Sequence, residues 1–147
     1  MYVGAGTVLT KKQVELTQKA GGKFIISPDA YPEVIEATRG LGMVSIPGAV
    51  TPTEMQIAHR AGADFIKLFP AANFGVSYLK NIKAPLSHLK ILAVGGVNEE
   101  NILEYQKAGA CGFGMGSNIV RKDLIEKGDY AQITQLAKTL VSKIKAL

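Results

Sequence analysis

Short apolar runs alternate with amphipathic segments along the whole chain. Three runs share one pattern, a basic residue followed by Ala-Gly and an apolar stretch that contains an aromatic residue: KAGGKFIISP from Lys19, RAGADFIKLFP from Arg60 and KAGACGFGMGS from Lys107. Glycine accepts the left-handed conformation that ends many helices, and the apolar stretches have the length and composition of strands buried on both faces. Each copy therefore predicts the end of a helix and the start of a strand.

Further strand-like runs, YVGAGTV, MVSIPGAV and KILAVGGV, open the chain and separate these copies. The predicted strands begin near Tyr2, Phe24, Met43, Phe65, Lys90 and Gly112, at intervals of 19 to 25 residues. The segments between them carry helix signals such as a capping threonine before proline at Thr51-Pro52 and an asparagine at Asn98. Helices are predicted over 10–20 and 29–39, from Thr51, from Asn98, and over 130–144, where apolar residues recur at helical spacing.

Six strand–helix units with apolar strands predict a parallel α/β sheet. Two architectures satisfy this pattern, a doubly wound open sheet and a closed (β/α)8 barrel, and the barrel normally needs eight units and about 200 residues or more. The chain has 147 residues and begins almost inside its first predicted strand. We therefore expect residues 1–147 to form a single domain, a partial TIM barrel that is incomplete at its N-terminal side.

Composition and charge argue against several classes of protein. Apolar residues make up 47% of the chain, but no apolar run approaches the roughly 20 residues that cross a bilayer, and no secretory signal is evident. The single cysteine excludes an internal disulfide framework and a multi-cysteine zinc site, and it fits a reducing compartment. The net charge of +5 is scattered and the chain has no tryptophan, which argues against nucleic-acid binding and is compatible with a small anionic substrate.

The carboxyl ends of parallel strands are where α/β folds bind their ligands. Here the predicted ends are small, glycine-rich or bounded by proline: GAGT, ISP, IPGA, KLFP, VGG and GMGS. Such ends leave space for a ligand and expose backbone N–H groups. The lysine of KLFP, Lys67, is the one charged residue in this set.

Lys67 is predicted to lie among apolar neighbours on either face of its strand. Strand alternation places it on the same face as Phe65 and Phe69. Burial disfavours the ammonium form, lowers the pKa and so favours a neutral amine, which attacks carbonyl groups to form an imine. The imine withdraws electrons, so that a bond two atoms away can break. In the alternative interpretation, Lys67 extends to the strand end or pairs with an acid such as Asp64.

Glycines end the last two predicted strands, at Gly95-Gly96 and at Gly116-Ser117. In barrels, phosphate commonly binds at the last two strand ends through backbone N–H groups. A tight turn is the alternative explanation for each pair. His59 and His88 lack metal-ligand spacing to another candidate, and the acids near helix starts are explained by capping. No general base is apparent.

The motifs VGAGTV, ISP, IPGA, FIKLFPA, GGV and GMGS, in this order and spacing, resemble the 2-keto-3-deoxy-6-phosphogluconate (KDPG) aldolase family, whose members often also act on 4-hydroxy-2-oxoglutarate. The resemblance covers essentially all 147 residues. It implies a (β/α)8 TIM barrel with about six of eight units present, the third to the eighth. It also implies a class I aldolase that cleaves phosphorylated 2-keto-3-deoxy sugar acids to pyruvate and glyceraldehyde 3-phosphate. The resemblance implies a trimer without metal or organic cofactor, and the single cysteine is compatible with the expected location in the cytoplasm.

The resemblance also assigns roles by position. Lys67 corresponds to the Schiff-base lysine. The residues implied in substrate binding are Thr7 at the pyruvate carboxylate, Pro28 and Phe69 in the pyruvyl pocket, and Gly95, Gly96, Gly116 and Ser117 in the phosphate loops. Val94 stands where gluconate-type members have threonine, and it resembles the galactonate-type (KDPGal) relatives instead.

The acid/base glutamate and the carboxylate-binding arginine of the family belong to its second strand region, to which no residue here corresponds. We therefore expect weak or absent turnover from this chain alone. Two other functions stay open at this point. One is a phosphate-binding barrel isomerase or synthase in which Lys67 acts as a charge, and the other is a noncatalytic fragment that acts through assembly.

Overall fold

The computed structural model describes residues 1–145, which contain six strands and seven helices; each strand is followed by one helix, except the last, which is followed by two. The strands are β1 (Ala5–Gly6), β2 (Phe24–Ile26), β3 (Val44–Ile46), β4 (Ile66–Leu68), β5 (Ile91–Val94) and β6 (Ala110–Gly114). The helices are α1 (Lys11–Lys19), α2 (Pro32–Gly40), α3 (Pro52–Arg60), α4 (Ala71–Lys83), α5 (Ile102–Lys107), α6 (Lys122–Glu126) and α7 (Tyr130–Lys145). All six predicted strands are confirmed, each within three residues of its predicted start.

Capping boxes fix the starts of α1 and α3. Thr10 accepts the N–H of Gln13, whose side chain accepts the N–H of Thr10 in return. Thr51 and Glu54 form the same reciprocal pair ahead of α3. Each box satisfies backbone donors that a helix start would otherwise leave unpaired, so these two predicted starts are confirmed.

Two predicted helix starts lie too early. Helix α2 begins at Pro32 rather than at Asp29, because the proline takes the first turn and Tyr31 adopts the extended N-cap conformation. Helix α5 begins at Ile102, because Asn98 accepts the N–H groups of Glu100 and Asn101 and holds residues 98–101 in a turn instead.

The strands form two parallel sheets of three, in the orders β1-β2-β3 and β4-β5-β6. A parallel bridge between Gly48 and Lys67 links the two sheets. At this bridge Lys67 donates its N–H to the Pro47 carbonyl at 2.8 Å and accepts the N–H of Ala49 at 3.0 Å. Every strand pair is parallel, so the carboxyl ends of all six strands point the same way. The predicted parallel α/β class is confirmed.

Burial differs between the two faces of the strands. The residues that face the helices are almost fully buried: Ile25, Ser45, Ile66, Leu68, Ile91 and Ala93. The alternate residues are only half-buried: Phe24, Ile26, Val44, Ile46, Lys67, Leu92 and Val94. The prediction of strands buried on both faces is therefore wrong for one face, because nothing within residues 1–145 covers it fully.

Two hydrophobic clusters lie between the sheets and the helices. The smaller cluster serves the first sheet and comprises Val8, Val14, Ile25, Val34 and Met43. The larger cluster has eighteen buried residues, centred on β4 and β5 and their helices. Helix α2 joins the two, because Val34 belongs to the small cluster and its neighbour Ile35 to the large one. None of the helices in residues 1–145 has the length and apolar composition required to cross a bilayer.

Candidate active site

Lys67 projects from the half-buried face of β4 into a cavity of about 280 Å³. The cavity is lined by residues of five strands, namely Phe24, Ile26, Ile46, Lys67, Leu92, Val94, Phe113 and Gly114. Register explains this grouping, since Lys67 pairs with Leu92 and Ile26 pairs with Ile46, and paired residues share a face. Lys67 supplies the charged group in an otherwise apolar lining.

The apolar lining shifts the protonation equilibrium of Lys67 toward the neutral amine. Burial lowers its pKa below the ordinary lysine value, and no charged neighbour contributes to this shift. Among residues 1–145, no carboxylate forms an ion pair with Lys67. Its ammonium instead lies over the Phe69 ring, 4.4 Å from the ring centroid. This arrangement confirms that Lys67 and Phe69 share a face.

The alternative in which Lys67 pairs with Asp64 is wrong. Asp64 precedes β4 and lines a different cavity from the one that Lys67 enters. Its carboxylate accepts hydrogen bonds from the Arg39 guanidinium and from the Ser45 N–H, both at 2.8 Å. Asp64 therefore ties α2 and β3 to β4 and leaves Lys67 without a counter-ion from this residue.

Gly95 and Gly96 form a turn that only glycine can make here. Both have left-handed backbone angles, with φ of 88° and 75°. A Cβ on Gly95 would lie 3.0 Å from the Phe69 ring, and one on Gly96 would overlap the Cβ of Ala72. The N–H of Ala72 donates to the Gly95 carbonyl at 3.0 Å, which fastens the turn to the start of α4. Tight packing therefore explains the pair structurally, whether or not it binds a ligand.

The second predicted loop, Gly116-Ser117, is exposed and less constrained. A Cβ on Gly116 would meet no atom within 4 Å. Within residues 1–145, the N–H groups of Gly96, Gly116 and Ser117 enter none of the backbone hydrogen bonds. Backbone N–H groups without a backbone acceptor, at the ends of two neighbouring strands, are suited to binding an anion with several oxygens.

Thr7 and Pro28 lie just beyond the carboxyl ends of β1 and β2, and both are exposed. Thr7 has a φ of 58°, which is uncommon for a residue with a branched side chain. The backbone of Pro28 packs so closely on Gly48 that a Cβ on Gly48 would overlap the Pro28 carbonyl. The structure thus places both residues at the end of the sheets toward which Lys67 is directed, although they do not line its cavity.

Four of the apolar side chains that line the cavity beside Val94 and Phe113 were not predicted as part of the site. They are those of Phe24, Ile26, Ile46 and Leu92. They can be identified from the alternation of side chains along each strand, because strand pairing puts each of them on the same face of the sheet as Lys67. This identification is possible only once the strand register is known.

The histidines and the capping acids lie elsewhere. The rings of His59 and His88 stack edge to face at 5.0 Å, beside a cavity at the amino ends of β4 and β5. Hydrogen bonds from Thr51 and Val50 lower the pKa of Glu54, as expected for a capping carboxylate. In the described part of the chain, no three or more His, Cys, Asp or Glu side chains are grouped to hold a metal ion.

A larger cavity of about 540 Å³ lies between α7 and the turns that follow β5 and β6. Its lysine, Lys143, is already engaged, since it donates to the Glu99 carbonyl at 2.7 Å. This hydrogen bond occupies the Lys143 amine, and amine chemistry is therefore better supported at Lys67.

Comparison with known proteins identifies the family of the chain. The family model described as KDPG and KHG aldolase matches residues 1–136. The 2-dehydro-3-deoxy-6-phosphogalactonate aldolase of Escherichia coli K12 is 42% identical over 120 residues, which are 81% of this chain and 58% of the relative. The 2-dehydro-3-deoxy-phosphogluconate aldolase of Haemophilus influenzae is 33% identical over 147 aligned positions, which cover 97% of this chain and 68% of the relative.

Solved structures give the same result. A native KDPGal structure superposes with a TM-score of 0.87 at 37% identity, covering 98% of this chain and 70% of that one. A KDPG aldolase from Legionella pneumophila, with pyruvate captured as a covalent carbinolamine, superposes with a TM-score of 0.81 at 33% identity, covering 90% and 65% of the two chains. A designed cage made by fusing symmetric oligomeric domains superposes at 0.77 and 33% identity, covering 97% and 60%. By this match over residues 1–136, the chain belongs to the KDPG and KHG aldolase family.

Proposed function

We propose that the chain carries the Schiff-base centre of a class I aldolase, with the amine of Lys67 as the nucleophile. The observation that carries this proposal is the position of Lys67, in an apolar cavity at the carboxyl ends of parallel strands and without a carboxylate partner among residues 1–145. A lysine in these surroundings is more readily neutral than an exposed one, and the neutral amine is the form that attacks a carbonyl. The covalent pyruvate in the Legionella relative supports the same chemistry.

The reaction would proceed through an imine. The Lys67 nitrogen attacks the C2 carbonyl carbon of a 2-keto acid, and loss of water gives a protonated imine. The C3–C4 bond then breaks, its electron pair moves toward the imine nitrogen, and the proton of the C4 hydroxyl leaves to a base. The aldehyde departs, and protonation and hydrolysis of the enamine release pyruvate and regenerate the amine. Each proton transfer needs an acid or base, and none faces Lys67 in an ion pair within residues 1–145.

The substrate class we propose is a phosphorylated 2-keto-3-deoxy sugar acid of the galactonate type, with 4-hydroxy-2-oxoglutarate as a further substrate. The N–H groups of Gly96, Gly116 and Ser117 would take the phosphate, and Gly95 would shape the turn that presents them. Thr7 would contact the carboxylate end, with Pro28 and Phe69 beside the pyruvyl group. Two observations favour the galactonate type: Val94 lines the cavity with an apolar side chain, and the galactonate relative is 42% identical against 33% for the gluconate one.

We further propose that the two sheets are adjoining parts of one (β/α)8 barrel, with residues 1–147 forming a single domain of six of its eight units. The parallel order within each sheet and the bridge between Gly48 and Lys67 support this arrangement. Residues 146 and 147 lie outside the described structure. A homotrimer in the cytoplasm remains a prediction, and the oligomeric origin of the matched cage supports assembly in general.

Reductive trapping tests the proposal. The chain is incubated with pyruvate and borohydride, and the labelled lysine is identified by peptide mass spectrometry. We expect an adduct on Lys67, none in Lys67→Arg, and full labelling in Lys90→Arg, which changes an exposed lysine before β5. Absence of a pyruvate adduct on Lys67 would favour a function in which this residue serves only as a charge.

A further inference from the structure

The ring under Lys67 stands in a position to oppose the effect of burial on this amine. The ammonium lies over the Phe69 ring at 4.4 Å from its centroid, within the range of a cation–π interaction. The negative face of an aromatic ring attracts the charged amine and not the neutral one. The apolar walls of the cavity act in the opposite sense, because they remove water from the ammonium.

Other charges do not obscure this balance. Burial lowers the pKa of Lys67, and no charged group is among the causes of that shift. The neighbouring strands contribute Leu92 and Val94 from β5, Ile46 from β3 and the backbone at Gly48, none of which titrates. The one nearby carboxylate on the β4 segment, Asp64, is held by Arg39.

The ring is also held in place by contacts unrelated to substrate. Gly95 approaches it so closely that an added Cβ would lie 3.0 Å from two of its carbons, and Pro70 follows it directly into α4. The turn after β5 therefore packs against one edge of the ring, which is otherwise exposed (46%), and the amine lies over its face. This gives Gly95 a structural connection to Lys67 that is independent of any phosphate.

We infer that Phe69 is a positioning residue that sets the protonation state of Lys67 through its ring face. The ring holds part of the resting amine as ammonium, directed over the ring, while the apolar walls keep the neutral form accessible. The consequence for catalysis rests on the proposed function. The effect on the amine itself does not, and it can be measured without substrate.

Substitution of Phe69 distinguishes a cation–π role of the ring from simple shielding of the amine from water, because the two roles shift the titration of Lys67 in opposite directions. Phe69→Leu keeps an apolar group but removes the ring face, so the ammonium loses an attraction and Lys67 should lose its proton at lower pH. If the ring merely excluded water, the smaller leucine would admit water and Lys67 would titrate at higher pH. Phe69→Tyr retains the ring face, so Lys67 should titrate at the same pH as in the unsubstituted chain. Phe74→Leu is the matched control, since it removes a half-exposed ring that contacts Tyr78 on α4.

The measurement is an NMR titration of the chain after its lysines are dimethylated with 13C-formaldehyde, with the Lys67 signal assigned from Lys67→Arg. In Phe69→Leu we expect about two- to fivefold more neutral amine at a fixed pH below the titration midpoint, from a cation–π interaction near a partly exposed site. A midpoint that is unchanged, or raised, relative to Phe74→Leu overturns the inference. Trapping with pyruvate is run in parallel on unmethylated chains. Loss of trapping in the unsubstituted chain would refute the aldolase proposal while leaving the titration result to decide the role of Phe69.

Discussion

Gly96 and Gly116 provide a matched pair for asking what the strand-end glycines do. Gly96→Ala forces an L side chain into a left-handed backbone with φ of 75° and drives its Cβ into that of Ala72. The left-handed conformation costs about 1–2 kcal/mol and overpacking about 1–3 kcal/mol, so we expect a loss of about 2–5 kcal/mol in the free energy of unfolding. Gly116→Ala meets no atom within 4 Å and should change it by less than about 0.5 kcal/mol.

The assay is urea unfolding followed by far-UV circular dichroism, with the slope of the free energy against urea compared between variants. Equal slopes would show that the two variants expose the same surface area on unfolding. Differences between their urea midpoints would then report differences in stability. A Gly96→Ala chain as stable as Gly116→Ala would refute the close packing of the turn against α4. If both variants are strongly destabilised, the open surroundings described for Gly116 are wrong.

Three further predictions follow from individual contacts. Tyr105→Phe removes the buried hydroxyl that donates to the Ala71 carbonyl at 3.0 Å, and it should lower the free energy of unfolding by about 1–2 kcal/mol in urea titrations, whereas no loss would contradict that hydrogen bond. The pKa of Glu54 is lowered from 4.5 by the backbone N–H of Thr51, so its contribution to stability is complete above that ordinary value and is lost as the pH falls through the lower folded value. Urea midpoints measured across this window should fall more steeply in the unsubstituted chain than in Glu54→Gln, and parallel curves would show that the cap has no such effect. Finally, since no carboxylate pairs with Lys67 in residues 1–145, turnover should be about 10²–10⁴-fold below that of the E. coli relative in a coupled assay for pyruvate, and equal rates would reveal another proton donor.

The strands and most helices could be predicted because their signals are local. Ala-Gly before an apolar run located β2, β4 and β6, and the Thr51-Pro52 dipeptide located α3. The start of helix α2 was predicted too early, because Asp29 is a residue type that often caps helices and Tyr31 is not. The helix nevertheless begins at Pro32, with Tyr31 at the N-cap position. Local preference gave the wrong boundary where the position of the proline overrode it.

The site could be predicted only in part, because its walls depend on pairing between distant strands. Lys67 was identifiable as a charge within an apolar run, and its link to Phe69 followed from strand alternation. That Leu92 and Ile46 would join them depends on registers that no short stretch of sequence encodes. The competing role for Asp64 was excluded by Arg39, which lies 25 positions earlier in the chain.

The unequal size of the two hydrophobic clusters has a dynamic consequence. The five-residue cluster beneath the first sheet has far less buried apolar surface than the eighteen-residue cluster beneath the second, so the first sheet should open locally at a lower free energy. Amides of β2 should then exchange with deuterium before those of β5. Phe24, Ile26 and Ile46, which wall the amine cavity, all belong to the less stable sheet. Each opening event would rehydrate Lys67 and shift its protonation equilibrium toward the ammonium form, so the reactivity of the amine depends on how long the weaker half of the molecule stays closed.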